Sequence, residues 1–135
     1  MEELDGWRFI TAVSGWRSQE EQHEIYIRSL WENGEEFTKQ FVARPGHSEH
    51  QTGLAMDINS LEQSWGETAD GIWLAAHCAE YGFILRYPQG KEDITGYMYE
   101  PWHVRYLGID LATAITDSGL TLEEYFGLTS VYADE

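Results

Sequence analysis

Asp57 is a carboxylate placed inside an apolar run, between Leu54-Ala55-Met56 and Ile58. The segment from Gly53 to Ile58, GLAMDI, reads as a short buried strand, a setting in which an unpaired carboxylate is costly. A divalent cation would offset that cost, and a salt bridge to one of the few arginines would do so too; the segment alone leaves both open. His50 stands seven residues earlier, in a polar stretch from Phe37 to Thr52 that carries the turn dipeptide Pro45-Gly46 and reads as a loop. Along a straight strand the two would lie ~23 Å apart, far beyond a shared ion. If they share one, the chain turns between them, and Gly53 is where it can turn.

A second cluster, Tyr99-Glu100-Pro101-Trp102-His103-Val104-Arg105-Tyr106, has a Glu three residues before a His. That spacing can set a carboxylate beside the open position of a metal whose ligand is the imidazole. Pro101 locks the backbone between the two, and Trp102 can wall off bulk water. Taken alone, the octapeptide also reads as a surface hairpin with a buried Trp. The two segments together favour a metal site.

The rest of the chain alternates between short strands and helices. Arg8 to Ser14 reads as a strand, and Ser18 with Glu21 forms a capping box for a helix that runs to the stop signal Asn33-Gly34 and carries Gln22. Residues 60–70 are polar and read as an exposed loop or insertion. Gly71 to Tyr81 reads as a helix ending at Gly82, and Phe83 to Tyr87 as a strand. The turn Pro88-Gln89-Gly90-Lys91 then leads to a partner strand near Tyr97 to Trp102, an antiparallel hairpin. Leu107 to Leu120 is expected to be helical, and Thr121 with Glu124 forms a second capping box. The sum is one α+β domain over residues 1–135, helices packed against a small, mainly antiparallel sheet.

The 24 acidic residues against 8 basic ones, a formal net charge of -16, would repel a phosphate backbone and argue against a nucleic-acid partner. The single cysteine, Cys78, allows no intrachain disulfide and reads as a buried inert thiol. No apolar stretch approaches a membrane span, and the opening residues MEELDG show neither a basic n-region nor an apolar h-region. The chain as written thus reads as soluble and without an export signal, cytoplasmic if whole and from the cell envelope if a leader was removed. His23 is read as exposed, His77 as a core histidine and His47 as a neighbour of the cleft. Trp73, Tyr81, Phe83 and Tyr87 are read as core.

The run SEHQTGLAMD fits Ser-x-His-x-x-Gly-x-Ala-x-Asp, and YEPWHVRY fits Glu-x-Trp-His. With Arg17-Ser18 followed by Gln22, and the stretch GFILRYPQGKEDITGY, these motifs resemble the zinc D-Ala-D-Ala carboxypeptidases and dipeptidases of the VanY and VanXY kind, over roughly Val13 to Gly108. The resemblance implies the fold shared with lysostaphin-type peptidases and the hedgehog domain. It implies one zinc ion on His50, Asp57 and His103, with Glu100 as catalytic acid and base and Arg17 on the carbonyl oxygen of the scissile bond. Ser48 and Gln22 are implied in substrate binding. The family carries more chain before its arginine motif, including part of the substrate cleft.

The implied reaction is hydrolysis before a C-terminal D-Ala in peptidoglycan stem peptides or in D-Ala-D-Ala, which would delete the vancomycin target; the bacterial compartment and the oligomeric state are left open. An L,D-carboxypeptidase or an endolysin of the same family is the alternative. A zinc-containing binding module without hydrolysis is a reading of another class, and the presence of Glu100 and Arg17 speaks against it.

Overall fold

The structure, a computed structural model, describes residues 2–3, 6–7 and 12–128. Strands β1 (Glu2–Glu3) and β2 (Gly6–Trp7) form a two-stranded antiparallel pair. The principal sheet contains β3 (Ala12–Ser14), β4 (Ala55–Ile58), β5 (Phe83–Tyr87) and β6 (Glu100–Tyr106), in the order β3-β4-β6-β5, with every neighbour antiparallel. Five helices accompany it among the described residues: α1 (Gln19–Phe41), α2 (Ala69–His77), α3 (Glu92–Thr95), α4 (Ile109–Ser118) and α5 (Leu122–Phe126). This is the α+β class expected from the sequence. Of the strand expected over 8–14, Ala12–Ser14 is present and residues 8–11 lie outside the described residues.

The central strands β4 and β6 face two environments. Ile58 and Val104 are buried with Trp73, Leu74 and Cys78, so α2 covers one face of the sheet with an apolar layer. A second apolar cluster joins Ile84 of β5 to Ala112 and Ile115 of α4. Opposite residues on paired antiparallel strands point to the same side. Asp57 is registered against His103, which places both polar side chains together.

Helix α1 begins as expected: Ser18 Oγ accepts from the Glu21 amide and Glu21 Oε2 accepts from the Ser18 amide. It does not stop at Asn33-Gly34. Gly34 breaks the helix with φ of 85°, a conformation glycine adopts without steric cost, and the chain then resumes helix to Phe41. Thr38, fully buried, donates to the Gly34 carbonyl at 2.8 Å and lies 2.8 Å from Ser29 Oγ, so its one hydrogen is spent and Ser29 is the donor in that contact. This clasp folds the second half of α1 back across the first. The loop expected from Phe37 therefore starts only after Phe41.

Four further expectations change, the first being that Tyr81, read as core, is exposed. Residues 60–70 are not a free insertion: a 3-10 turn at Gln63–Glu67 packs on β6, Gln63 Nε2 donates to the Tyr99 carbonyl at 2.9 Å, and Gly66 lies so close to Tyr99 and Pro101 that a Cβ there would overlap both. The strand expected near Tyr97 to Trp102 begins at Glu100, because the Met98 amide is drawn to the Gln40 carbonyl of α1 and the Tyr97 amide to Thr95 Oγ1. His77 is no core histidine. It is half-exposed, stacked on Trp73 and 3.2 Å from Glu80.

Candidate active site

The turn that the His50 to Asp57 spacing requires is present. Ser48 caps a 3-10 turn over Glu49–Thr52 by accepting from the His50 amide, and Gly53 ends it in the left-handed region with φ of 77°. His50 is thereby carried back beside β4. The Arg17 amide donates to the His50 carbonyl at 2.9 Å, which stitches this turn to the segment after β3.

His50, Asp57 and His103 each offer a ligand atom, and these atoms lie within 4.8 Å of one another with all three residues buried. His50 Nδ1 donates to the Gly15 carbonyl at 2.8 Å, and His103 Nε2 donates to Glu49 Oε2 at 3.0 Å. Each neutral ring then presents its other nitrogen, His50 Nε2 or His103 Nδ1, as a lone pair. Both face Asp57 Oδ1, at 3.2 and 3.6 Å. That oxygen is buried without a hydrogen-bond partner. Two nitrogen lone pairs converging on an orphaned carboxylate oxygen repel one another unless a metal ion, or a proton taken up by an imidazole, sits between them. The donor set, two imidazoles and one carboxylate, is one that zinc accepts in catalytic sites with a fourth position open.

Of the two compensations left open by its sequence setting, Asp57 has the salt bridge on one oxygen and turns the other to the two imidazoles that could share a metal with it. Oδ2 accepts from Arg17 Nη2 at 3.2 Å while Oδ1 faces the imidazoles. Arg17 is held further by Ser14 Oγ at 2.8 Å and by Gln22 Oε1 at 2.9 Å. Gln22, itself buried, gives its amide hydrogen to the Ala43 carbonyl at 2.6 Å, so both ends of its side chain are engaged within the protein. A bulge between β3 and β4, where two residues of β3 oppose one of β4, brings Ser14 level with Asp57.

Glu100 and His103 are three apart, which on a regular strand would set them on opposite faces. The ladder between β5 and β6 shifts register between Leu85 and Tyr87, with β6 spending more residues than β5 across the gap. The bulge re-aims the chain, and Glu100 Oε1 lies 3.6 Å from His103 Nδ1. Burial raises the Glu100 carboxyl above the ordinary carboxylate range, only partly opposed by His103.

Arg17, Gln22, Ser48, His50, Asp57, Glu100 and His103, the residues expected to bind metal or substrate or to act in catalysis, line one cleft of about 540 Å³. Its other wall is apolar, with Ile25, Phe37, Phe41, Leu61 and Trp102. His47 and His23 are exposed and do not line it. Tyr87, read as core, is buried but lines the cleft with its ring 4.8 Å from that of His103.

Glu49 is the functional residue that the sequence reading passed over. Burial works to raise its pKa, but His103 and Arg86 outweigh it and bring the carboxyl down to about 2. In the metal-free protein His103 is pushed up to about 9: burial opposes protonation, and the carboxylates of Glu100 and Glu49 outweigh it. A metal ion would displace that proton. The available signal was a pair of arginines, Arg86 in FILRY and Arg105 in WHVRY, set in buried strands where each needs a partner.

The family described as VanY, D-alanyl-D-alanine carboxypeptidase, matches residues 5–109. YodJ of Bacillus subtilis (strain 168) is 53% identical over 123 residues, 87% of this chain and 45% of YodJ. The bifunctional D-Ala-D-Ala dipeptidase and D-Ala-D-Ala carboxypeptidase VanXYC of Enterococcus gallinarum is 45% identical over 124 residues, 86% of this chain and 65% of that protein. The chain thus spans less than two thirds of the length of either relative. Among solved structures, the LdcB LD-carboxypeptidase superposes with a TM-score of 0.79 at 50% identity, covering 90% of this chain and 60% of that one. A vancomycin-resistance D,D-pentapeptidase VanY from a VanB-type cassette, solved in complex with Zn(II), superposes with a TM-score of 0.77 at 40% identity, covering 87% of this chain and 71% of the other.

Proposed function

Because this chain belongs to the VanY family of D-alanyl-D-alanine carboxypeptidases, we propose that it is a zinc peptidase hydrolysing the bond before a C-terminal D-Ala in peptidoglycan stem peptides, in the D,D-carboxypeptidase or D,D-dipeptidase manner. The observation that carries the reading is the orphaned Asp57 Oδ1 between two imidazole nitrogens, with the Glu100 carboxylate against the same edge. Removing that residue from cell-wall precursors would delete the vancomycin target.

His50, Asp57 and His103 would hold the zinc ion, which would supply Lewis acidity and lower the pKa of a bound water. Glu100, its affinity for a proton raised by burial, takes the proton of the attacking water and delivers it to the nitrogen of the departing amine. The Arg17 guanidinium, fixed by Ser14, Gln22 and Asp57, stabilises the negative charge that develops on the carbonyl oxygen. Gln22 serves by orienting Arg17, since both ends of its amide are already bonded. Ser48 Oγ accepts from the His50 amide and keeps its own hydrogen for the substrate's terminal residue. Trp102 and the apolar wall exclude bulk water, which strengthens each of these electrostatic contacts.

The likeness to the LdcB LD-carboxypeptidase favours a second reading, cleavage of an L,D bond in tetrapeptides. One assay separates the two. Zinc-loaded protein is incubated with D-Ala-D-Ala, a pentapeptide ending in D-Ala-D-Ala and a tetrapeptide ending in a single D-Ala, and free D-Ala is measured. Release from the dipeptide or pentapeptide is expected, release from the tetrapeptide alone would favour the L,D reading, and release from none would refute both.

A further inference from the structure

Glu49 does not stand alone behind His103. Its Oε1 accepts from Arg86 Nε at 2.6 Å and from Arg105 Nη1 at 2.9 Å, while Oε2 accepts from His103. On its far side, Arg86 Nη1 donates to Glu123, reaching Oε2 at 3.0 Å and lying closer still to Oε1. The Glu49, Arg86 and Glu123 side chains are only 12%, 13% and 6% exposed, so this is an interior relay rather than a surface ion pair. It runs from the metal ligand His103 through Glu49 and Arg86 to helix α5.

The guanidinium is a rigid plane, and carboxylates on two of its edges fix its orientation. With Arg86 fixed, Glu49 cannot swing away from His103 without leaving a buried donor unpaired. Helix α5 has only five residues and is anchored by its side chains: the Thr121 and Glu124 capping box, Glu124 on Lys91, and Leu122 against the apolar cluster around α4. It also lies beyond residue 109, where the family match ends.

We propose that Glu123 is a positioning residue of the metal site: through Arg86 and Glu49 it fixes the His103 ring, so that α5 helps to set how tightly zinc is held. This rests on the reading that His50, Asp57 and His103 bind zinc. Glu49 orients the ligand directly, and Glu123 acts one step further out.

A double-mutant cycle on zinc affinity tests the relay. The zinc dissociation constant is measured by chelator competition for the full chain, Glu49→Gln, Glu123→Gln and the double variant, alongside the visible spectra of the cobalt-loaded proteins. Glu49→Gln is expected to weaken zinc by about 10- to 100-fold, and Glu123→Gln by roughly 3- to 10-fold. The double variant is expected to be no weaker than Glu49→Gln alone, because the second change acts only through the first. A cobalt spectrum altered in Glu123→Gln and restored in Glu123→Asp marks a change at the metal that loss of stability alone would not produce. Unaltered zinc affinity in Glu123→Gln, or losses that simply multiply in the double variant, would overturn the proposal. Should Glu123→Gln not fold, Arg86→Lys decides: weaker zinc binding that disappears in the Glu49→Gln background is expected, and wild-type affinity or a loss that persists in that background would contradict it. A wild-type protein that binds no zinc would instead overturn the reading beneath it.

Discussion

The two faces of strands β4 and β6 are made by neighbouring residues and behave in opposite ways. Toward α2, Ile58 and Val104 join Trp73, Leu74 and Cys78 in a dry layer, where burial pushes the Cys78 thiol up to about 11. Toward the cleft, Asp57 and His103 meet Arg17, Glu49, Glu100 and His50 through a few directional contacts. The dry face is held by many contacts of which none is indispensable, whereas each contact on the polar face has one geometry in which it works. Alternation along a strand separates the two roles, so substitutions on either side should have separable consequences.

The largest expected effect is on chemistry alone. Glu100→Ala should retain zinc yet lose at least about 10²- to 10⁴-fold in turnover, the range for a positioned acid and base. Metal content and the rate of D-Ala release, measured on one preparation, check it, and near-normal turnover would remove Glu100 from the mechanism. The opposite face gives the converse. Leu74→Ala should lower stability by about 2–5 kcal/mol, read from denaturant unfolding, with zinc affinity unchanged. A large loss of zinc affinity there would mean that the faces are coupled.

A smaller effect is expected in acid. Glu49 has its pKa depressed from 4.5 to about 2 in the folded metal-free protein, so the stability it contributes is complete above about 4.5 and is lost as pH falls toward 2. Unfolding of the metal-free chain followed across that window should show the decline, and Glu49→Gln should flatten it. An unchanged slope in the variant would assign the acid lability to other carboxylates.

Much of this comparison was legible in the amino-acid sequence where local rules apply. The capping boxes at Ser18 and Thr121, the turn at Gly53 and the strand Phe83–Tyr87 lie where short-range chemistry puts them. The metal group could be suspected because Asp57 is a charge inside an apolar run. What escaped was set by distant partners. Thr38 and Ser29 fold α1 back after Gly34, and Gly66 packs under Tyr99, neither of which has a local signature. Glu49 escaped for the same reason: it sits in a turn, its partners Arg86, His103 and Arg105 come from β5 and β6, and only the folded chain brings them together.

The central claim is that one buried oxygen, Asp57 Oδ1, exists to share a metal with His50 and His103. Purified protein stripped with chelator, re-equilibrated with zinc and freed of excess metal should retain one zinc per chain, and His103→Ala, under the same treatment, should retain essentially none. A wild-type chain that emerges without metal, or a His103→Ala variant that still holds its full zinc, would contradict the account.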